Sequence, residues 1–409
     1  MTFTKFWLMA YRDLGRNRRR SLFSLIAVAL GLSLLILLHG YLAGVIGESL
    51  DNDVRLRTGH VQVRAPSYPE EKVSLQWKDL VPEAEMVAAD LAAHPGVIAA
   101  APTLWATAIL NTRDESVGLR LQGIWPDSAL YAPIRDALVG GDYLTSDDRG
   151  GILMGKRLAD SLGLTVGDSV SLSVINADGQ PDEAIFAIRG LFASGVPTFD
   201  ESTLLMPLAR AQALTRTERR ASAVVLLLPH QDHAPAMAEQ LRAAGYHALS
   251  WRDLNQVLLQ TLEWVFSFYY VLDMIVMAIV AIIIANTLLM AVFERFREVG
   301  ILGALGMKGR QIMAMFLIEA LLLGIGGVIV GVVLGSAGVA YFATNGLNLG
   351  DEVASAAGAV ALGSTVHFRF VPDVIAGLSL AILGIILVAS LYPAWFAARQ
   401  EPAVALRAQ

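Results

Sequence analysis

Gly150-Gly151-Ile152-Leu153-Met154-Gly155-Lys156-Arg157 follows the phosphate-binding loop G-x-x-x-x-G-K-[S/T] up to its last position. In that loop backbone N–H groups cradle phosphates and the closing hydroxyl holds Mg²⁺. Arg157 stands where the hydroxyl is needed and no second nucleotide motif follows, so the stretch reads as a strand leading into a helix from Lys156 to Leu162. The seven histidines, His39, His60, His94, His230, His233, His247 and His367, include no pair at zincin spacing, and His230 with His233 reads as a solvated helix start. No Ser-His-Asp arrangement emerges from spacing. The chain is therefore expected to be no enzyme, to hold no metal and to bind no cofactor of its own.

The other polar groups of interest lie inside apolar runs. Asp273, Asn286 and Glu319 sit where a polar side chain is costly in lipid, which marks a functional or pairing position by default. A structural role is the first reading for them. The runs themselves are Ser21 to Gly47, about Trp264 to Phe293, Gln311 to Thr344 and Pro372 to Ala398. At roughly 1.5 Å per residue the first gives about 40 Å of helix, more than the roughly 30 Å of bilayer hydrocarbon. A hydrophobic content of 55% and a mean hydropathy of +0.54 agree with four spanning helices. Gly327, Gly331 and Gly335 form a small-xxx-small stripe that predicts close helix approach on the third.

Arg12, Arg16, Arg18, Arg19 and Arg20 precede the first run, Arg295, Arg297, Lys308 and Arg310 separate the second from the third, and Arg399 and Arg407 follow the fourth. By the positive-inside rule these segments are cytoplasmic. The region between the first two runs and the loop before the fourth are then outside. The net charge of −6 gives no footing for a nucleic-acid partner. With no Cys, no disulfide holds the outer domain and no lipoprotein-type processing site exists; the first run reads as an uncleaved anchor.

The expected fold is an α-helical membrane protein with four transmembrane helices plus a mixed α/β outer domain, a split ferredoxin-like lobe with an inserted β-rich lobe. Its division is 1–20, a cytoplasmic amphipathic elbow helix; 21–50, the first span; and 51–257, the outer domain, with the insertion at about 125–207. Then come 258–293, the second span; 294–310, a cytoplasmic connection; 311–344, the third span; 345–371, an outer loop; 372–398, the fourth span; and 399–409, a cytoplasmic tail. Strands 97–110 and 117–124 are assigned to the split lobe.

The stretch from Asn286 through Glu294-Arg295-Phe296-Arg297-Glu298-Val299-Gly300-Ile301-Leu302-Gly303-Ala304-Leu305-Gly306 resembles the signature of FtsX/MacB-type ABC permeases. Tyr392 to Arg407 resembles the ending of the same family, and Arg12 to Ser21 fits its N-terminus. The resemblance implies a type VII ABC transporter permease with a MacB-like periplasmic domain in a bacterial inner membrane. It implies a separate ABC ATPase dimer, which binds ATP and Mg, and a second permease copy or related permease. Coupling to the ATPase would fall to Glu294, Arg295, Arg297, Glu298, Gly300 and Leu305.

Within the family, Thr58-Gly59-His60-Val61-Gln62-Val63, Arg189 to Asp200 and Pro207 to Gln212 resemble the LolC/LolE lipoprotein-releasing branch. That branch implies extraction of lipidated cargo from the outer leaflet, with membrane lipids as neighbours and a periplasmic lipoprotein carrier as a further candidate partner. LolC-like subunits carry a protruding hairpin that recruits the carrier; the corresponding turn here, Asn176 to Glu183, is short and acidic. If acyl chains leave between the first two helices, Leu38, Tyr41, Leu42, Val45, Phe266, Tyr269 and Tyr270 would offer them apolar and aromatic surface, a set that also fits an interfacial aromatic belt. Two other readings stand: efflux of peptides or small toxic compounds, and signalling to a periplasmic partner such as a cell-wall hydrolase.

Overall fold

The computed structural model describes residues 18–70, 72–112, 115–356 and 360–399, so the expected elbow helix and cytoplasmic tail lie almost wholly outside the described residues. The chain divides into a helical unit, which contains Glu263–Leu347 and the stretches up to Val45 and from His367, and an outer unit of Ile46–Leu262 and Asn348–Val366.

Among the described residues, four helices are long and apolar enough to cross a membrane. They are Arg18–Asp53, Gln256–Glu294, Gly309–Asn345 and Pro372–Ala398. The first span runs on to Thr58 and the second starts at Gln256, both beyond their apolar stretches. Their shared core takes Val28, Leu32 and Ile36 from the first helix, Ile284 and Leu288 from the second, Ala320 from the third and Ile382 and Ile386 from the fourth. Ser24 Oγ donates to Thr287 Oγ1 at 2.9 Å, one polar tie between the first two helices.

The glycine stripe faces the first helix. A Cβ on Gly327 would come to 2.6 Å from Val28, on Gly331 to 2.9 Å from the Ala29 carbonyl and on Gly335 to 2.9 Å from Ile36. At Gly331 the obstacle is backbone, which a rotamer change cannot relieve. Gly331→Val is therefore expected to destabilise the bundle by about 1–3 kcal/mol, the usual range for overpacking. A thermal unfolding midpoint in detergent equal to that of the parent chain would contradict this close approach.

In the outer unit the strands are β1 (Val61–Val63), β2 (Ala99–Asn111), β3 (Ser116–Ile124), β4 (Leu138–Gly141) and β5 (Gly151–Gly155), then β6 (Ser169–Ile175), β7 (Pro181–Phe192), β8 (Thr203–Pro207), β9 (Ala223–Leu227) and β10 (Ala248–Ser250). They form one sheet path in the order β10-β1-β9-β2-β3-β8-β5-β7-β4, with β6 pairing β2 and β7. Helix Ala84–Ala92 links β1 to β2 and helix Ala234–Ala243 links β9 to β10. Each buries a small-residue face, Ala84, Ala88 and Leu91 on one and Ala234, Ala238 and Leu241 on the other, against Val61, Val224 and Leu226.

One boundary differs from the sequence reading. β2 pairs with β9 over Ala99–Thr103, then with β3 over Leu104–Asn111 and with β6 over Ala108–Asn111. β3 in turn pairs in parallel with β8 from Arg120 to Ile124. β2 beyond Thr103 and β3 therefore pair with the strands at 169–175 and 203–207 within this one sheet, and not only with those at 61–63 and 223–250. The cause is burial: Leu104, Ala106, Ala108 and Leu110 fill a core with Leu172, Phe186 and Ile188.

Candidate functional site

The connection between the second and third long helices is built from a chain reversal. The second helix ends at Glu294, and Arg295 leaves helical geometry at φ −109° and ψ 19°. A new short helix, Phe296–Ala304, begins there, with Glu298 in its first turn, where a carboxylate complements the exposed N–H groups. Gly306, at φ +92°, stops it in a conformation that L side chains rarely adopt. Val299 is buried with Val292, Ile312, Met315, Phe316, Ala394 and Ala397, which anchors the short helix by its inner face.

This geometry divides the six expected coupling residues. Glu294, Arg297, Glu298 and Leu305 are exposed, Leu305 at 80%, whereas Arg295 and Gly300 are buried. Arg295 turns inward, its Nη1 3.5 Å from Glu319 Oε2 on the third long helix. The two side chains are 8% and 6% exposed. Sequence reasoning set Arg295 on the cytoplasmic surface and left Glu319 without a partner; the fold joins them into one buried ion pair. Its physical logic is mutual neutralisation, since either charge alone would be costly to bury.

The seven residues expected to meet acyl chains are also divided. Leu42 is buried at 5% exposure. Tyr41 is half-buried, its ring centroid 5.5 Å from that of Phe368, which itself stacks on Phe342 at 4.8 Å. Leu38, Val45 and Tyr269 are half-buried, while Phe266 and Tyr270 are exposed at 40% and 66%. The seven thus do not share one lipid-facing surface: Leu42 is buried and Tyr41 is turned into an aromatic cluster. Sequence reasoning missed the hydrogen bond between His39 Nε2 and Asp273 Oδ2, 2.9 Å long. No local spacing could reveal it, because its two halves lie on different helices.

The loop that resembles a phosphate cradle has other work. The Asp148 carboxylate accepts the N–H groups of Gly150 and Gly151 at 3.3 and 2.9 Å. Lys156 pairs with Asp160 one turn on, and a Cβ at Gly155 would overlap the Asp200 carbonyl. Arg157, in place of the hydroxyl residue, binds Glu201 at 2.7 Å and Asp351 at 2.6 Å, which fastens the 348–366 segment to the outer unit. The turn between β6 and β7 is likewise folded back. Asn176 Oδ1 accepts from the N–H groups of Asp178 and Gln180, Ala177 N–H donates to the Thr215 carbonyl at 2.9 Å, and Arg216 holds Asp182 at 2.9 Å.

Asp200 is a buried carboxyl of the outer unit. Burial pushes its pKa up to about 6, against the pull of hydrogen bonds from the Ser194 hydroxyl and N–H. A carboxyl whose folded pKa is raised contributes stability below its ordinary pKa and loses it as pH climbs through the folded value. Amide exchange in residues 194–200 is thus expected to gain opening, up to about tenfold per pH unit between about pH 4 and 6, beyond the intrinsic exchange rate. Asp200→Asn should flatten that slope; an unchanged slope would show that Asp200 is not its source.

Four apolar helices, an α/β outer unit and a short amphipathic connection define a membrane-spanning permease. The family described as FtsX-like permease C-terminal matches residues 270–402, and the MacB-like periplasmic core domain matches residues 21–244, more than half of the chain. The chain belongs to the FtsX/MacB-type ABC transporter permeases.

Among its relatives, the lipoprotein-releasing system transmembrane protein LolC of Neisseria meningitidis serogroup B is 25% identical over 94% of this chain and 93% of that protein. LolC of Xylella fastidiosa is 27% identical over 98% of this chain and 97% of its own length. The macrolide export ATP-binding/permease protein MacB of Rhodospirillum rubrum is 27% identical over 98% of this chain and 60% of that protein.

Proposed function

We propose that this chain is the permease subunit of an ATP-driven complex that extracts lipoproteins or similar lipidated cargo from the outer leaflet of a bacterial inner membrane. The observation that carries this reading is end-to-end likeness to LolC proteins, over 94% and 98% of this chain and 93% and 97% of theirs. The MacB relative, named for both ATP binding and permease function, is spanned over only 60% of its length. In this reading a separate ATPase dimer binds ATP and Mg, and this chain works with a second permease, its own copy or a related one.

In this mechanism ATPase closure is received by the exposed side of Phe296–Ala304, with Arg297, Glu298 and Leu305 as contacts. The Arg295–Glu319 pair carries the displacement into the third long helix. Cargo is met by the exposed aromatics of the second helix, Trp264 with Phe268 on one side and Phe266 with Tyr270 on another. Tyr41 and Leu42 act by holding the first helix in place.

A photocrosslinker at Tyr270 tests the reading in proteoliposomes that contain the ATPase and a triacylated lipoprotein. The expected result is an adduct that falls when ATP and a soluble acceptor are added. An adduct with bulk phospholipid alone, indifferent to ATP, would contradict it.

A further inference from the structure

Five cationic side chains, Arg57, Arg64, Lys72, Arg120 and Arg242, line a cavity of about 420 Å³ in the outer unit; its carboxylates are Asp53, Glu70 and Asp253. The charges are not evenly matched. Arg242 is neutralised by Asp253 at 2.6 Å, and Arg57 lies 3.9 Å from Asp53. Among the described residues, no carboxylate stands within ion-pair distance of Arg64 or Arg120. Arg64 Nε donates to Gln62 Oε1 at 2.7 Å, and its guanidinium carbon lies 5.0 Å from the Tyr68 ring centre and 5.2 Å from that of Trp105. Burial lowers the Arg64 pKa; Tyr68 and Glu70 oppose the shift, and the charge of Arg120 adds to it.

A second cavity, of about 370 Å³, shares Arg57, Trp105 and Arg120 with the first and is walled by Leu56, Leu119 and Phe199. Arg57 and Arg120 thus stand between two cavities, the second with a mixed wall in which Leu56, Leu119 and Phe199 alternate with Thr107, Gln122 and Thr203. Arg57 lies in the last turn of the first apolar span, and Gln256, which also lines the first cavity, opens the second span. The cavity wall therefore includes residues from the ends of both membrane-length helices.

We propose that Arg64 and Arg120, with Arg57, bind a phosphate-bearing anion that also carries an apolar body, the headgroup end of an anionic phospholipid. Guanidinium groups match phosphate oxygens in paired hydrogen bonds, and an anion here relieves repulsion among neighbouring cations, of which Arg57 and Arg64 are partly desolvated. The apolar part lies against Trp105 and Phe199. This site goes beyond the cargo reading and does not depend on which cargo is released.

The test uses the full chain in a neutral detergent with fluorescently labelled phosphatidylglycerol, read by polarisation, and with labelled phosphatidylcholine as the comparison. Arg120→Gln and the double variant Arg64→Gln/Arg120→Gln are each expected to weaken phosphatidylglycerol binding by at least about tenfold, the scale of a lost charge-assisted contact. Arg216→Gln, on a surface pair with Asp178 and Asp182, should leave it unchanged. Arg120 is exposed on β3, so its single variant keeps the test open if the double variant fails to fold. Displacement of the lipid by inorganic phosphate at matched ionic strength would assign the site to a free phosphate, while resistance to it assigns the site to a lipid. Equal binding of both lipids, or phosphatidylglycerol binding unaltered in both arginine variants, would overturn the proposal.

Discussion

Glu319→Ala is expected to lower the unfolding midpoint sharply and to remove the response of the partner ATPase to cargo. Glu319 is 5% exposed and Arg295 7%, and the variant removes the carboxylate that stands 3.5 Å from the buried guanidinium. Breaking such a pair from one side costs roughly 3–5 kcal/mol. The loss should concentrate where the short helix Phe296–Ala304 meets the third long helix, since Val299, Ile312 and Phe316 share a core there. Arg295→Met/Glu319→Leu separates stability from coupling. Apolar replacement of both partners is often neutral, to within about 1 kcal/mol or better, so the double variant should regain stability. Its ATPase response should stay low, because two apolar side chains do not fix the register of the short helix as an ion pair does. Measuring midpoint and ATP turnover on the same preparations checks both; full recovery of turnover would reduce the pair to a stabilising role.

Leu305→Asp should abolish capture of the ATPase while leaving the fold intact. Leu305 is 80% exposed at the end of the short helix, so the substitution removes no internal contact that the fold needs. A central apolar anchor in an interface is commonly worth 2 kcal/mol or more, about a 30-fold loss of affinity, and a carboxylate desolvated there without a partner adds to the cost. Co-purification of tagged permease with its ATPase reads this directly. Ile301, 44% exposed on the same short helix, should show a smaller loss on Ile301→Ala. If Leu305→Asp retained the ATPase at parental levels, the docking surface would lie elsewhere.

Much of this molecule is written in local sequence. The four spans follow from uninterrupted apolar length, and the glycine stripe follows from its spacing of four, which the close approach to Val28, Ala29 and Ile36 explains. The charged connection was legible because it interrupts two apolar runs. What was not legible depends on long-range contact. Arg295 has the composition of a positive-inside residue, and only the return of the third helix brings Glu319 to it. His39 and Asp273 likewise meet across two helices. Along Ala99–Asn111 Pro102 marks the place just before β2 changes partner from β9 to β3, but which strands it pairs with on either side is set by tertiary burial. Among the acyl-chain candidates, helical apolar residues look alike in sequence whether they face lipid or one another, which is why Leu42 and Tyr270 were grouped and the fold parts them.

The central claim is that this permease turns ATP hydrolysis into release of lipidated cargo. The most direct test is ATP turnover of the complex, copurified with its ATPase and reconstituted in lipid, with and without a triacylated lipoprotein and a soluble acceptor. The account predicts stimulated turnover accompanied by lipoprotein in the soluble fraction. Robust turnover indifferent to lipoprotein, with none released, would contradict it and favour the export or signalling readings.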